Sequence, residues 1–205
     1  MLFCAMKPIR AFFAISLPES HRNALRKIVS SLKQELPMKS IRWSAIENLH
    51  ITLQFLREMQ YAHLVQLIEK VRSELQPATA FQLELANLQL FPSLRHPRVI
   101  ALDVEPHDVL AELSRRIGLG IAALNYPLER KQFRGHLTLA RVNHRDQNLS
   151  RVETIQIPQI PKIAIEEICL FESRTGQKSQ IYIPLEHFKL SPTPFFSTTS
   201  STCKK

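Results

Sequence analysis

The pattern of apolar residues predicts an α+β fold in which helices and antiparallel strands are mixed along one chain. Three observations carry that prediction. Three segments place apolar residues at helical spacing. The stretches between them alternate apolar and polar residues with the period of a strand. Two of those strands carry the same unit, His50-Ile51-Thr52 and His136-Leu137-Thr138.

Ile9 to Leu17 is rich in aromatic and branched residues and reads as a buried strand. Pro18 and Glu19 suit the first turn of a helix, and Leu25, Ile28, Val29 and Leu32 continue it to about Leu36, where Pro37 stops it. Ile41 to Trp43 is a short extended piece, with Trp43 expected in the core or a cleft wall. In the next strand, Leu49 to Phe55, His50 shares a face with Thr52, while Leu49, Ile51, Leu53 and Phe55 are expected on the other.

Tyr61 to Leu75 sets Leu64, Leu67, Ile68, Val71 and Leu75 on one stripe and predicts a second helix ended by Pro77. Phe81 to Phe91 and Val99 to Val104 read as strands, joined by a turn with Arg95, His96 and Arg98 that is either an exposed basic loop or a phosphate contact. Val109 to Leu124 is a third helix, in which Gly118 and Gly120 point to close packing. The second His strand, Gly135 to Arg141, follows. His144 to Ser150 reads as a loop, Val152 to Ile157, Ile163 to Ser173 and Gln180 to Leu185 as strands, and Arg174 to Gln177 as a hairpin turn. From Ser191 to Lys205 the composition predicts a disordered tail.

At 205 residues the chain is long enough for a substantial core, and we expect residues 1–190 to form one bilobal domain. With 44% apolar and 22% charged residues it reads as a soluble globular protein. No apolar run reaches the ~18 residues of a membrane span, and Met1 to Leu17 lacks a small-residue cleavage site, so a cytoplasmic location and no membrane partner are expected. The formal net charge of +9 favours anionic partners. Cys4, Cys169 and Cys203 are widely spaced and read as ordinary reduced thiols.

The two His-x-Thr units point to a symmetric site. A pair of imidazoles titrating near neutrality can supply one general base and one general acid, and threonine hydroxyls can bind anionic oxygens. Either unit alone is weak evidence, since a histidine in a half-buried strand is usually a satisfied structural residue. Four other histidines, His21, His63, His107 and His187, fall in predicted helices or loops and are expected at the surface.

Together with Arg10 to Pro18 ahead of them, the paired units His50-Ile51-Thr52-Leu53 and His136-Leu137-Thr138-Leu139 resemble the two-histidine (2H) phosphoesterase superfamily, specifically its LigT-like RNA 2′,3′-cyclic phosphodiesterases. The resemblance runs from about Ile9 to about Leu185. It implies two pseudo-symmetric lobes of antiparallel sheet with outer helices around a central cleft. It also implies metal-independent, cofactor-free hydrolysis of an RNA 2′,3′-cyclic phosphate end to a 2′-phosphate; a monomer is expected. On that resemblance His50 is the proton donor, His136 the proton acceptor, and Thr52, Thr138 and Arg141 bind the phosphate. Strict alternation from His136 and Thr138 instead sends Arg141 to the opposite face, unless a bulge near Ala140 turns it back. Two departures from the family pattern bear on loop shape: Arg57 stands where glycine is common, and Gly135 where proline often precedes the histidine. The alternatives are 2′,5′ RNA ligation at the same site, a non-catalytic nucleotide- or RNA-binding module, and a metal hydrolase using His50, His136 and a third histidine. Thr52 and Thr138 are poorer metal ligands than the residues such a site would use.

Overall fold

The computed structural model describes residues 8–129, 132–143, 149–177 and 179–192. Cys4, Cys203, most of the 144–150 loop and all but the start of the 191–205 tail lie outside the described residues. The elements run β1 (Ile9–Ser16), α1 (Glu19–Glu35), β2 (Arg42–Trp43), β3 (His50–Met59), α2 (Leu64–Leu75), β4 (Phe81–Phe91), β5 (Val99–Glu105), α3 (His107–Ala122), β6 (His136–Arg141), β7 (Ile163–Ile165), β8 (Glu167–Thr175) and β9 (Gln180–Lys189). The strands form one antiparallel sheet in the order β7-β4-β5-β6-β3-β1-β8-β9, with β2 on the same edge of β6 as β3. This is an α+β fold.

The sheet is curled, and the chain shows how. β7 pairs with β4 near one end of the strand order, yet only Glu166 separates it from β8, which pairs with β1 near the other end. Ser191, just past β9, bridges Thr79, just before β4: its N–H donates to the Ala78 carbonyl and its carbonyl accepts from the Ala80 N–H. The two ends of the strand order are therefore drawn together, and the backbone groups at that seam are satisfied.

The three helices pack outside, as their apolar stripes require. α1 buries Leu25, Ile28, Val29 and Leu32, and α2 buries Leu67, Val71 and Leu75. Gly120 lies where α3 meets α2: a Cβ there would sit 2.7 Å from Val71 Cγ2 and 2.9 Å from its Cα, a distance only glycine permits. Among the described residues no helix is long and apolar enough to cross a membrane.

Three expectations are corrected. Val152 to Ile157 is not a strand. Ser150–Thr154 forms a 3-10 turn whose Val152, with neighbouring Leu149, plugs the core, and the carboxylate of Glu153 accepts the Leu90 N–H at the edge of β4. Pro158 and Pro161 follow, and a residue without an N–H is a poor ladder member. Ile163 to Ser173 is two strands rather than one, because partners change at Glu166. Finally, β3 does not end in a loop at Arg57 but continues to Met59.

Candidate active site

β3 and β6 run side by side at the middle of the sheet, in register at Ile51 and Leu137. Both of these side chains are fully buried, so the residues on either side of each must face the other way. His50, Thr52, His136 and Thr138 accordingly line one cleft of about 1810 Å³. Continuing the register by one residue sets His50 across from Thr138 and Thr52 across from His136, side chains about 4.5–5.5 Å apart at Cβ in a regular antiparallel pair.

Strict alternation then breaks in both strands at the same offset. Against β1, Ala14 pairs with Thr52 but Phe13 with Gln54, leaving Leu53 as an extra residue. Against β5, Ala101 pairs with Thr138 but Ile100 with Ala140, leaving Leu139 as the extra residue. Each bulge follows the threonine directly and reverses the facing of what comes next. Phe55 therefore lies on the cleft side, contrary to the expectation from alternation, and Gln54 turns to the helix side. Arg141 likewise lines the cleft, beside its register partner Val99. The sequence left two directions open for Arg141, and the bulge at Leu139 decides between them.

The first bulge is held from behind. Ser114 of α3, itself buried, donates to the Leu53 carbonyl at 2.8 Å, and Gln54 Nε2 donates to the Ser114 hydroxyl and carbonyl, each at 3.0 Å. A serine in mid-helix usually bonds back to its own helix. Here it reaches instead across to the carbonyl of the bulged residue.

Both histidines are fixed in the same tautomer. His50 Nδ1–H donates to the Asn48 carbonyl at 2.7 Å, and His136 Nδ1–H donates to the Arg134 carbonyl at 2.9 Å. A carbonyl only accepts, so Nδ1 carries the proton in each and Nε2 is the nitrogen left for the cleft. Burial pushes the His50 imidazole below its usual value, opposed by the bond to Asn48, with the charges of His136 and Arg141 pushing the same way as burial. Burial also lowers His136. There the bond to the Arg134 carbonyl and the charge of Asp103 oppose it, while the Arg134 and Arg141 guanidiniums add to it. Two neutral imidazoles facing one cleft can give or take protons once an anion enters.

The surroundings are basic and aromatic. Arg10, Arg42, Arg57, Arg98, Arg134 and Arg141 line the cleft against two glutamates, Glu58 and Glu129. Phe12 lies obliquely against His50, Tyr182 meets it edge-on, and Phe91 stacks on His136. Burial raises the Tyr182 phenol above its usual value, so it stays protonated. Of the turn before β5, His96 and Arg98 reach the cleft and Arg95 is exposed. Trp43 lines the cleft and also packs on the core.

Sequence reasoning missed Phe12, Phe91, Arg134 and Tyr182 as parts of the site. Only their distant partners mark them, although an aromatic residue at a strand position expected to face the motif was an available signal. His63, His107 and His187 are exposed as expected, whereas His21 is half-buried with its Nε2 unpartnered. The Cys169 thiol is buried and pushed up to about 12 by burial, so it is inert. Among the described residues, the group whose ligating atoms come close enough for a metal ion is Asp103, Glu105 and His107; it does not include His50 or His136.

Comparison with known proteins agrees with this geometry. A family profile described as LigT like Phosphoesterase matches residues 15–101. The RNA 2′,3′-cyclic phosphodiesterase of Methanothermobacter thermautotrophicus is 27% identical over 185 residues, covering 89% of this chain and 99% of that protein. The protein of the same name from Aquifex aeolicus is 25% identical over 197 residues, covering 90% and 99%. Among solved structures, E. coli LigT in its apo form superposes with a TM-score of 0.72 at 26% identity, covering 90% of this chain and 99% of that one. The same protein complexed with 3′-AMP superposes with a TM-score of 0.71. With relatives and solved structures aligned along nearly their whole length, and two His-x-Thr strands side by side in one cleft, the chain is similar in sequence and fold to the LigT-like phosphoesterases.

Proposed function

We propose that this protein is an RNA 2′,3′-cyclic phosphodiesterase, a hydrolase that opens a terminal cyclic phosphate to a 2′-phosphate without a metal or other cofactor. His136 Nε2 takes a proton from water as the water oxygen bonds to phosphorus. His50, protonated at Nε2, gives its proton to the ribose 3′ oxygen as the bond from phosphorus to that oxygen breaks. Thr52, Thr138 and Arg141 hold the non-bridging oxygens, whose charge grows in the transition state.

The observation that carries this reading is the matched tethering of the two imidazoles: each Nδ1–H is held by a carbonyl two residues back, which leaves two Nε2 atoms for one arginine-lined cleft. Both imidazoles are lowered in the free protein, and an arriving phosphate anion favours protonation of one of them. The strand order supports the two-lobed, pseudo-symmetric description. β1, α1 and β3 on one side repeat as β5, α3 and β6 on the other, and the bulges fall at equivalent places. The cleft volume of about 1810 Å³ exceeds the roughly 300–1,000 Å³ of a small-ligand pocket and leaves room for more than one nucleotide.

The test is hydrolysis of an oligoribonucleotide ending in a 2′,3′-cyclic phosphate, with a chelator present and the product followed by phosphorus NMR. We expect a 2′-phosphate, and a loss of roughly 10²- to 10⁴-fold for His50→Ala and for His136→Ala. A 3′-phosphate product, activity abolished by chelator, or near-normal turnover in either variant would overturn the proposal.

A further inference from the structure

The two histidines share a tautomer but rest on different surfaces. His50 meets Phe12 at 36°, with ring centroids 4.8 Å apart, and takes Tyr182 edge-on at 87°. His136 lies nearly parallel to Phe91, with centroids 4.1 Å apart and planes 19° apart. The same Phe91 ring carries the Arg134 guanidinium, whose Cζ lies 5.0 Å from the ring centroid. Arg134 is also the residue whose carbonyl accepts from His136 Nδ1–H, and its Nη1 donates to the Pro92 carbonyl at 3.1 Å. Among the described residues His50 has no matching arrangement, since the guanidinium on its side, Arg10, lies over Phe55 rather than over Phe12.

These contacts act on two properties of His136. A ring stacked flat on another cannot rotate about its side-chain bond without losing that contact, and the Nδ1–H bond restrains the same rotation, so together they aim Nε2. A fixed cation beside the imidazole disfavours a second positive charge there, and it already occupies the electron-rich ring on which an imidazolium would rest. The other charged groups facing His136 are Arg141 on its own strand, of the same sign as Arg134, His50 from β3, and Asp103 from β5, of opposite sign. Asp103 is itself engaged by Gln89 Nε2 and by His107.

We infer that Phe91 and Arg134 are positioning residues for His136, the stacked ring holding the imidazole plane and the guanidinium on that ring keeping the imidazole neutral and able to accept a proton. The inference rests on the reading of His136 as the proton acceptor. It supplies what the register alone cannot: two motifs related by the local symmetry of an antiparallel pair need a neighbour outside the pair to tell base from acid.

Two measurements test it: NMR titration of the His136 imidazole in the free protein, and the pH profile of kcat/KM on a 2′,3′-cyclic mononucleotide. Arg134→Met removes the charge and keeps the stem. It should raise the His136 midpoint by roughly half a pH unit, and shift the acid limb of the profile by the same amount, as expected for a charge several ångströms away in partly solvated surroundings. Arg134→Lys keeps a charge and should leave both near wild type. Phe91→Leu should lower kcat by about tenfold with little change in KM, the size of a misaimed catalytic nitrogen, and Phe91→Tyr should restore it. A role confined to stability would move the melting temperature of these variants and leave the His136 midpoint and the kcat against KM split untouched. An unmoved His136 midpoint in Arg134→Met, or wild-type kcat in Phe91→Leu, overturns the inference. Absence of hydrolysis by the wild-type protein would instead refute the functional reading, while the titration still reports on Arg134.

Discussion

Ser114→Ala tests whether the bulge that shapes the first half of the cleft is held by α3. The substitution removes the donor to the Leu53 carbonyl and one of the two acceptors of Gln54 Nε2. Ser114 and Leu53 are both buried, so water cannot replace the lost partner. Two hydrogen bonds at about 1 kcal/mol each, with a further cost for a buried carbonyl left unpaired, give a destabilisation of about 2–4 kcal/mol. For a chain of this size that corresponds to a fall in melting temperature of roughly 5–15 °C. Urea denaturation measures the free energy directly, through the midpoint at constant slope. The double variant Ser114→Ala/Gln54→Leu should lose less than the sum of the two single changes, because the residues share one network. Phe55 and Thr52 flank the bulge, so kcat/KM should fall severalfold in Ser114→Ala even at temperatures where it is fully folded. A destabilisation below about 0.5 kcal/mol, the range of an ordinary surface change, would refute the reasoning.

The remaining predictions concern charge. Arg141→Lys should keep part of the activity and Arg141→Ala should lose considerably more, with little change in melting temperature, because a forked guanidinium holds phosphate oxygens better than a point charge; unchanged kinetics in Arg141→Ala would remove Arg141 from the phosphate site. Binding of an oligoribonucleotide should weaken steeply with salt, and binding of a cyclic mononucleotide much less, since only the longer ligand reaches several of the six cleft arginines; equal salt slopes would show that the outer arginines touch no substrate. Both His50 and His136 are lowered from about 6.5 in the folded protein, so below that pH the unfolded chain binds more protons than the folded one. Their contribution to stability is therefore complete above about pH 6.5 and is lost as pH falls through the folded values. The melting temperature of wild type should drop more steeply between pH 7 and pH 5 than that of His50→Gln/His136→Gln, and parallel curves would contradict the assignment.

Much of the site was legible in the sequence because a strand has a period of two. That period places His50 with Thr52 and His136 with Thr138 whatever the partners are, and the apolar stripes of α1, α2 and α3 needed no tertiary information either. The same local rule misplaced Phe55 and left Arg141 undecided. A bulge is a mismatch in residue count between two strands: Leu53 is extra only against β1, and Leu139 only against β5. Neither strand's own pattern contains that count. The division of Ile163 to Thr175 at Glu166 was hidden for the same reason, since both halves are apolar strands and only their partners differ. Which imidazoles and hydroxyls share a face therefore follows from local strand geometry alone. The tertiary structure decided where the faces reverse, and it brought Phe12, Tyr182, Phe91 and Arg134 from other segments to the two rings, because contacts between distant segments depend on strand order and register, which no local pattern encodes.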